Sequence, residues 1–225
     1  MGDRFFTVNK HPDEWASGVC HAVVTMAPWQ RQRFSVGSVQ VAGRKTWGAR
    51  DPVWRNEVIY YNTLEATLPA ILERIVVHHT NNTDSILSNE TNQQGRGYAA
   101  LGYHFFIDQS ANVYEGRPLE IMGSHAGAGK SSGPLNDPDW GSIGIVMQGD
   151  YHNADNWFFQ SDKTAPQVQL DTLQNLITGL RNAYGIDQLL MHREVVRAGD
   201  ETVCPGDHMA GHVTAMRTRL GMRGP

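Results

Sequence analysis

The sequence predicts an α/β protein, a single mixed central β-sheet flanked by helices, and three stretches carry that prediction. ERIVVHHT (73–80) is a β-branched apolar run in which Ile75, Val76 and Val77 read as a buried central strand. QLLMHRE (188–194) repeats the device downstream. Between them an amphipathic pattern predicts a helix over 165–184, with Leu173, Leu176, Ile177, Leu180 and Tyr184 on one face. Thr164 and Gln167 stand at capping-box spacing, Pro166 sits in the first turn and Gly185 ends the helix. Strands interleaved with covering helices give a layered architecture around one sheet.

The remaining elements follow in order. FSVGSVQV (34–41) reads as a strand with one slip in register. KTWGARDPVW (45–54) is punctuated by Gly and Pro, and its Trp47 and Trp54 read as packing anchors. LEATLPAIL (64–72) leads into the central strand, and NNTDS (81–85) supplies Thr83 or Asp84 as a helix N-cap. LGYHFFID (101–108), QSAN (109–112) and VYEGR (113–117) form a hairpin that sends Tyr103 and His104 to opposite faces. SHAGAGKSSGPLNDPDWG (124–141) is a long loop of the kind that borders a cleft, and SIGIVMQG (142–149) returns as a buried strand. A last helix starts near Asp207, with Met209, Val213, Met216 and Leu220 as its stripe and Gly221 as its stop.

Composition bounds the function. A chain of 225 residues with 40% hydrophobic content supports one main domain. Residues 45–225 are assigned to it, and 1–44 to an N-terminal extension of unknown role. A formal net charge of −4 leaves no polybasic surface, which argues against nucleic acid as a partner. Cys20 and Cys204 are the two cysteines, so there is no disulfide framework. GVCHAVVTMAP (18–28) is short, contains His21 and follows Asp13 and Glu14, so it reads as folded chain rather than a signal peptide. No stretch approaches the ~18 apolar residues of a membrane span.

The chemistry concentrates at the strand ends. Alternation along a strand sends His78 and His79 to opposite faces, so one can enter a site while the other packs. Two strand-borne histidines, one from this pair and His192, plus Cys204 of VCPG (203–206), make a three-ligand zinc set with its fourth tetrahedral position open. His11, His21 and His152 read as ordinary core or surface groups. His208 and His212 have metal-pair spacing on a helix, but the intervening residues lack the glutamate of the HExxH hydrolases, and they are assigned to helix surface.

The ordered series TWGAR (46–50), IVVHHT (75–80), LGYHFFID (101–108), VYEGR (113–117), GSHA (123–126), SIGI (142–145), MHRE (191–194) and CPGD (204–207) resembles the type-2 zinc N-acetylmuramoyl-L-alanine amidases, most closely the peptidoglycan recognition protein branch. The resemblance implies hydrolysis of the amide between N-acetylmuramic acid and L-alanine of the stem peptide. It assigns His78, His192 and Cys204 as ligands of one zinc ion per chain in a surface groove at the sheet edge. It also implies that Tyr103 orients the attacking water, that Thr202 donates to the oxyanion, and that His125 lines the substrate groove; beside the resemblance, His104 and His79 are further substrate-side candidates, with packing the alternative for His79. The partner implied is peptidoglycan or a muropeptide, met by a monomer in the periplasm, the cell wall or outside the cell. The same chemistry serves a phage lysin or an exported antibacterial toxin, the latter with an inhibitor or immunity protein. A non-hydrolytic peptidoglycan receptor is the reading from another class. Two departures are visible: the disulfide usual in animal recognition proteins is missing, and Val146 stands where cytosolic recycling amidases carry glutamate.

Overall fold

The computed structural model describes residues 2–14, 23–56, 58–127, 134–152, 164–196 and 199–225. Cys20, His21 and much of the signal-like stretch lie outside the described residues, as does the middle of the long loop. The elements run β1 (Phe5–Val8), β2 (Arg33–Val36), β3 (Val39–Ala42), α1 (Arg44–Trp47), β4 (Val58–Tyr61), α2 (Leu68–Ile71), β5 (Arg74–His79), α3 (Ile86–Gly95), β6 (Phe105–Ile107), β7 (Val113–Glu115), β8 (Ser142–Met147), α4 (Gln167–Tyr184), β9 (Gln188–Met191) and α5 (Asp207–Leu220).

The main sheet has seven strands in the order β2-β3-β7-β6-β8-β5-β9, and β1 pairs with β4 in a separate ribbon. β6, β8, β5 and β9 run parallel, while β2–β3 and β6–β7 are antiparallel. β5 therefore lies inside the sheet between β8 and β9, and its residues Ile75, Val76 and Val77 are fully buried. On one face Ile75, Val77, Ile143, Ile145 and Met147 pack with Leu173, Leu176, Ile177 and Leu180 of α4 and Met209, Val213 and Met216 of α5. Each such side chain contributes roughly 1.5–3 kcal/mol by leaving water. The opposite face is covered more thinly, by Ile86 and Leu101 over Phe106 and Val146.

Several expectations are revised. Within the first 44 residues, β2 and β3 join the main sheet, because β3 pairs in parallel with β7. FSVGSVQV is a hairpin rather than one slipped strand. Gly37 takes φ +58 at its turn, and the turn packs so closely on α4 that a Cβ there would sit 3.1 Å from the Cα of Gly179. α3 is capped by Ser85, whose side chain accepts the Ser88 N–H, in place of Thr83 or Asp84. No capping box forms on α4: Pro166 is its N-cap, and the Gln167 amide turns instead to Asp171 at 2.8 Å. α4 and α5 do end on left-handed Gly185 and Gly221. Trp47 and Trp54 are packing residues: the Trp47 indole N–H donates to the Glu115 carbonyl at 2.8 Å, and Trp54 meets Trp29 edge-on at 5.9 Å. Arg44 and Glu90, both buried, pair at 2.8 Å and tie α1 to α3 behind the sheet.

Candidate metal centre

The parallel pairing of β5 with β9 sets Val77 opposite Met191. The next residue on each chain is a histidine, and both turn to the thinly covered face, with ring centroids 4.6 Å apart. Cys204 comes from the segment leading into α5. Arg193, immediately after His192, holds that segment: its main-chain N–H donates to the Cys204 carbonyl at 3.0 Å, and its guanidinium donates to the Val203 carbonyl and pairs with Asp207 at 2.9 Å. One turn of chain thus sets two of the three groups.

His78, His192 and Cys204 each offer a donor atom within 4.8 Å of the others. His78 Nδ1 lies 3.7 Å from Cys204 Sγ. Zinc bonds of about 2.0 Å to nitrogen and about 2.3 Å to sulfur at a tetrahedral angle span about 3.6 Å, so the donor set fits such an ion. His78 and Cys204 are buried and His192 is half-buried, leaving the open side next to His192.

Burial governs the electrostatics. It drives His78 well below the ordinary imidazole range, with His125, His192 and His79 adding to the effect, and it lowers His192 as well. Both rings are therefore neutral and carry a lone pair for coordination. Burial pushes the Cys204 thiol up to about 12, against the opposing pull of the His79 main-chain N–H and Arg193. A divalent cation is the charge that would hold this thiol as thiolate.

Tyr103 packs edge-on to His78 at 5.0 Å, and burial raises its phenol above the ordinary range, so it stays protonated. It precedes β6, in irregular chain, instead of lying within a strand. Thr202 is half-exposed, and its Oγ1 accepts the Cys204 N–H at 3.2 Å, a contact that leaves its own proton unused. The other three candidate histidines are buried. His125 is buried behind His78, its Nδ1 3.0 Å from His78 Nε2. His104 is fully buried, with Nε2 on the Ile121 carbonyl and Nδ1 accepting the Gly144 N–H, both at 3.0 Å, so neither nitrogen is left for a substrate. His79 points to the other face, where its Nδ1 accepts the Tyr151 N–H at 3.2 Å. Sequence reasoning missed Asp139, which accepts three main-chain N–H groups from His125, Ala126 and Gly127. It also missed Arg193; a cation directly after a ligand histidine was the available signal.

Parallel strands that end together on two imidazoles and a thiol define a class of protein: a mixed-sheet scaffold with a donor set able to hold a single metal ion. The family model described as N-acetylmuramoyl-L-alanine amidase matches residues 69–207, more than half of the chain, and the protein belongs to that family. Peptidoglycan-recognition protein SC1a of Drosophila melanogaster is 27% identical over 192 residues, covering 79% of this chain and 85% of the relative. Peptidoglycan-recognition protein LB of the same organism is 28% identical over 195 residues, covering 80% and 70%. Among solved structures, Drosophila PGRP-LB aligns with a TM-score of 0.56 at 26% identity, covering 79% of this chain and 94% of that one. The endolysin amidase LysCS of Clostridium intestinale aligns at 0.53 and 26%, covering 68% and 85%. A mutant of Drosophila PGRP-LB in complex with tracheal cytotoxin aligns at 0.55 and 25%, covering 78% and 93%. The mixed sheet flanked by helices is the fold these proteins share, and no helix among the described residues is long and apolar enough to cross a membrane.

Proposed function

We infer that this protein is a zinc-dependent N-acetylmuramoyl-L-alanine amidase that releases stem peptides from peptidoglycan or muropeptides outside the cytoplasm. The observation that carries the reading is the intact, convergent His78, His192 and Cys204 set with one side open, on a chain of the amidase family. A relative in complex with tracheal cytotoxin supports the ligand class. Zinc at this site supplies Lewis acidity, which polarises a carbonyl and lowers the pKa of water to roughly 7.

The chain's own residues do the rest. Tyr103, protonated and beside His78, orients the attacking water through its hydroxyl. Thr202 uses its lone pair on the Cys204 N–H and points its proton at the oxyanion that develops on the substrate carbonyl. Burial of His78 and Cys204 keeps competing water away from the inner side of the centre.

Digestion of purified peptidoglycan, followed by mass spectrometry of the fragments, tests this directly. Free stem peptides beginning with L-alanine, together with intact glycan strands, are expected. New muramic-acid reducing ends without new alanine amines contradict it, and binding without any cleavage product favours the receptor reading.

A further inference from the structure

His78 has two ring nitrogens and both are engaged: Nδ1 faces Cys204 Sγ at 3.7 Å and Nε2 faces His125 Nδ1 at 3.0 Å. A neutral imidazole carries one proton. For Nδ1 to offer a lone pair to a metal, that proton must sit on Nε2 and find an acceptor. Metal-bound histidines usually find it in a carboxylate, a carbonyl or water; here an imidazole nitrogen stands in that place. We propose that His125 is a positioning residue, accepting the Nε2 proton of His78 and so fixing the tautomer that aims Nδ1 between His192 and Cys204. The inference rests on the zinc reading above.

Asp139 is the neighbour that could claim the same nitrogen, at 3.3 Å from His125 Nδ1. Its Oδ1, however, already accepts the main-chain N–H groups of His125 at 3.0 Å and Ala126 at 2.9 Å, which occupy both in-plane lone pairs. Its Oδ2 accepts that of Gly127 at 2.9 Å. The carboxylate therefore builds the turn that presents the ring, and leaves the Nδ1 lone pair to His78. The proton of His125 sits on Nε2, which is buried and meets no hydrogen-bond partner among the described residues. A buried nitrogen left so is a cost the fold accepts while the Nδ1 contact is kept.

Two glycines make room for this ring. A Cβ at Gly123 would stand 2.5 Å from His125 Cδ2, and one at Gly144 2.4 Å from the same atom. Gly144 lies on β8 opposite Val76 of β5, on the face that carries His78. The missing side chain lets the imidazole lie on the sheet within reach of the ligand. The glycines of GSHA and SIGI thus serve one contact, although they are far apart in sequence.

The test compares His125→Asn with His125→Leu. Asparagine can place its Oδ1 near where Nδ1 accepts, and leucine fills similar space with no acceptor. Zinc affinity is measured by competition with a chromophoric chelator, coordination by the visible spectrum of the cobalt(II)-substituted protein, and the His78 tautomer by long-range proton–nitrogen NMR on the metal-free and zinc-loaded parent. The parent should show the zinc-loaded His78 protonated on Nε2. The leucine variant should lose about 10–100-fold in zinc affinity with an altered cobalt spectrum, and the asparagine variant should recover most of that affinity. Parental affinity in the leucine variant overturns the proposal, as does a His78 protonated on Nδ1 in the zinc-loaded parent. An asparagine variant as weak as leucine overturns it too, since the ring would then act by packing alone. Should the leucine variant fail to fold, the asparagine variant and the parent's tautomer still decide. None of these readouts uses hydrolysis, so a parent that passes them without cleaving peptidoglycan refutes the functional reading and leaves this one standing.

Discussion

The two faces of β5 receive the same side chain at consecutive positions and surround it differently. His78 meets His192, His125, Tyr103 and Cys204, whereas His79 meets Tyr151 and, at 4.0 Å, Asp150. Burial is the leading cause of a lowered pKa on both, to about 4 for His79 and well below the ordinary imidazole value for His78. Charge state therefore does not separate them. Company does: a neutral imidazole becomes a candidate ligand where a thiol and a second imidazole converge on it, and a structural acceptor where a main-chain N–H is its hydrogen-bond partner.

Substitutions can break that contrast, and the largest effect is expected on the His78 face. His78→Ala or Cys204→Ser should abolish stoichiometric zinc uptake and bring peptidoglycan cleavage to background, checked by elemental analysis beside a digestion assay. Full turnover in Cys204→Ser would remove the thiol from the ligand set. Next come the groups beside the metal. Tyr103→Phe should keep the zinc and lose on the order of 10²-fold in turnover. Thr202→Ala should lose a similar factor, on the order of 10²-fold, while Thr202→Ser, which retains both the acceptor for the Cys204 N–H and the free proton, should recover it. Parental rates in both Tyr103→Phe and Thr202→Ala would mean that another group handles the water and the oxyanion. The smallest effect belongs to the other face. His79→Leu leaves the Tyr151 N–H without its acceptor and should cost roughly 1–3 kcal/mol of stability, read by denaturant unfolding, with zinc stoichiometry intact. Loss of zinc in that variant would erase the distinction between the faces.

How much of this was legible in the sequence follows from the range of each interaction. β5 was readable because a β-branched run is a local signal, and α4 and α5 because their stripes and terminal glycines are local too. The three donors were readable as residue types at strand ends. Their meeting depends on the register Val77 to Met191, which no local pattern specifies. The valine alternation of FSVGSVQV slips by one residue at Gly37 and so reads as one strand, whereas the left-handed φ of Gly37 and its packing on Gly179 make it the turn of the β2–β3 hairpin. The resemblance, not any local pattern, points to His125 on the substrate groove, and nothing in the GSHA stretch itself signals burial. The burial of His125 depends on Gly144, in a distant strand, and on Asp139, across the long loop. The N-cap expectations at Thr83, Asp84 and Thr164 failed where a neighbouring Ser85 or Pro166 took the position instead.

X-ray absorption at the zinc edge of the freshly loaded protein tests the central claim most directly, that one face of β5 carries a single-sulfur centre with an open position. The account predicts one sulfur at about 2.3 Å, two imidazole nitrogens at about 2.0–2.1 Å and one further light atom from solvent. A spectrum with no sulfur shell, or with a closed shell made of protein ligands alone, would contradict it.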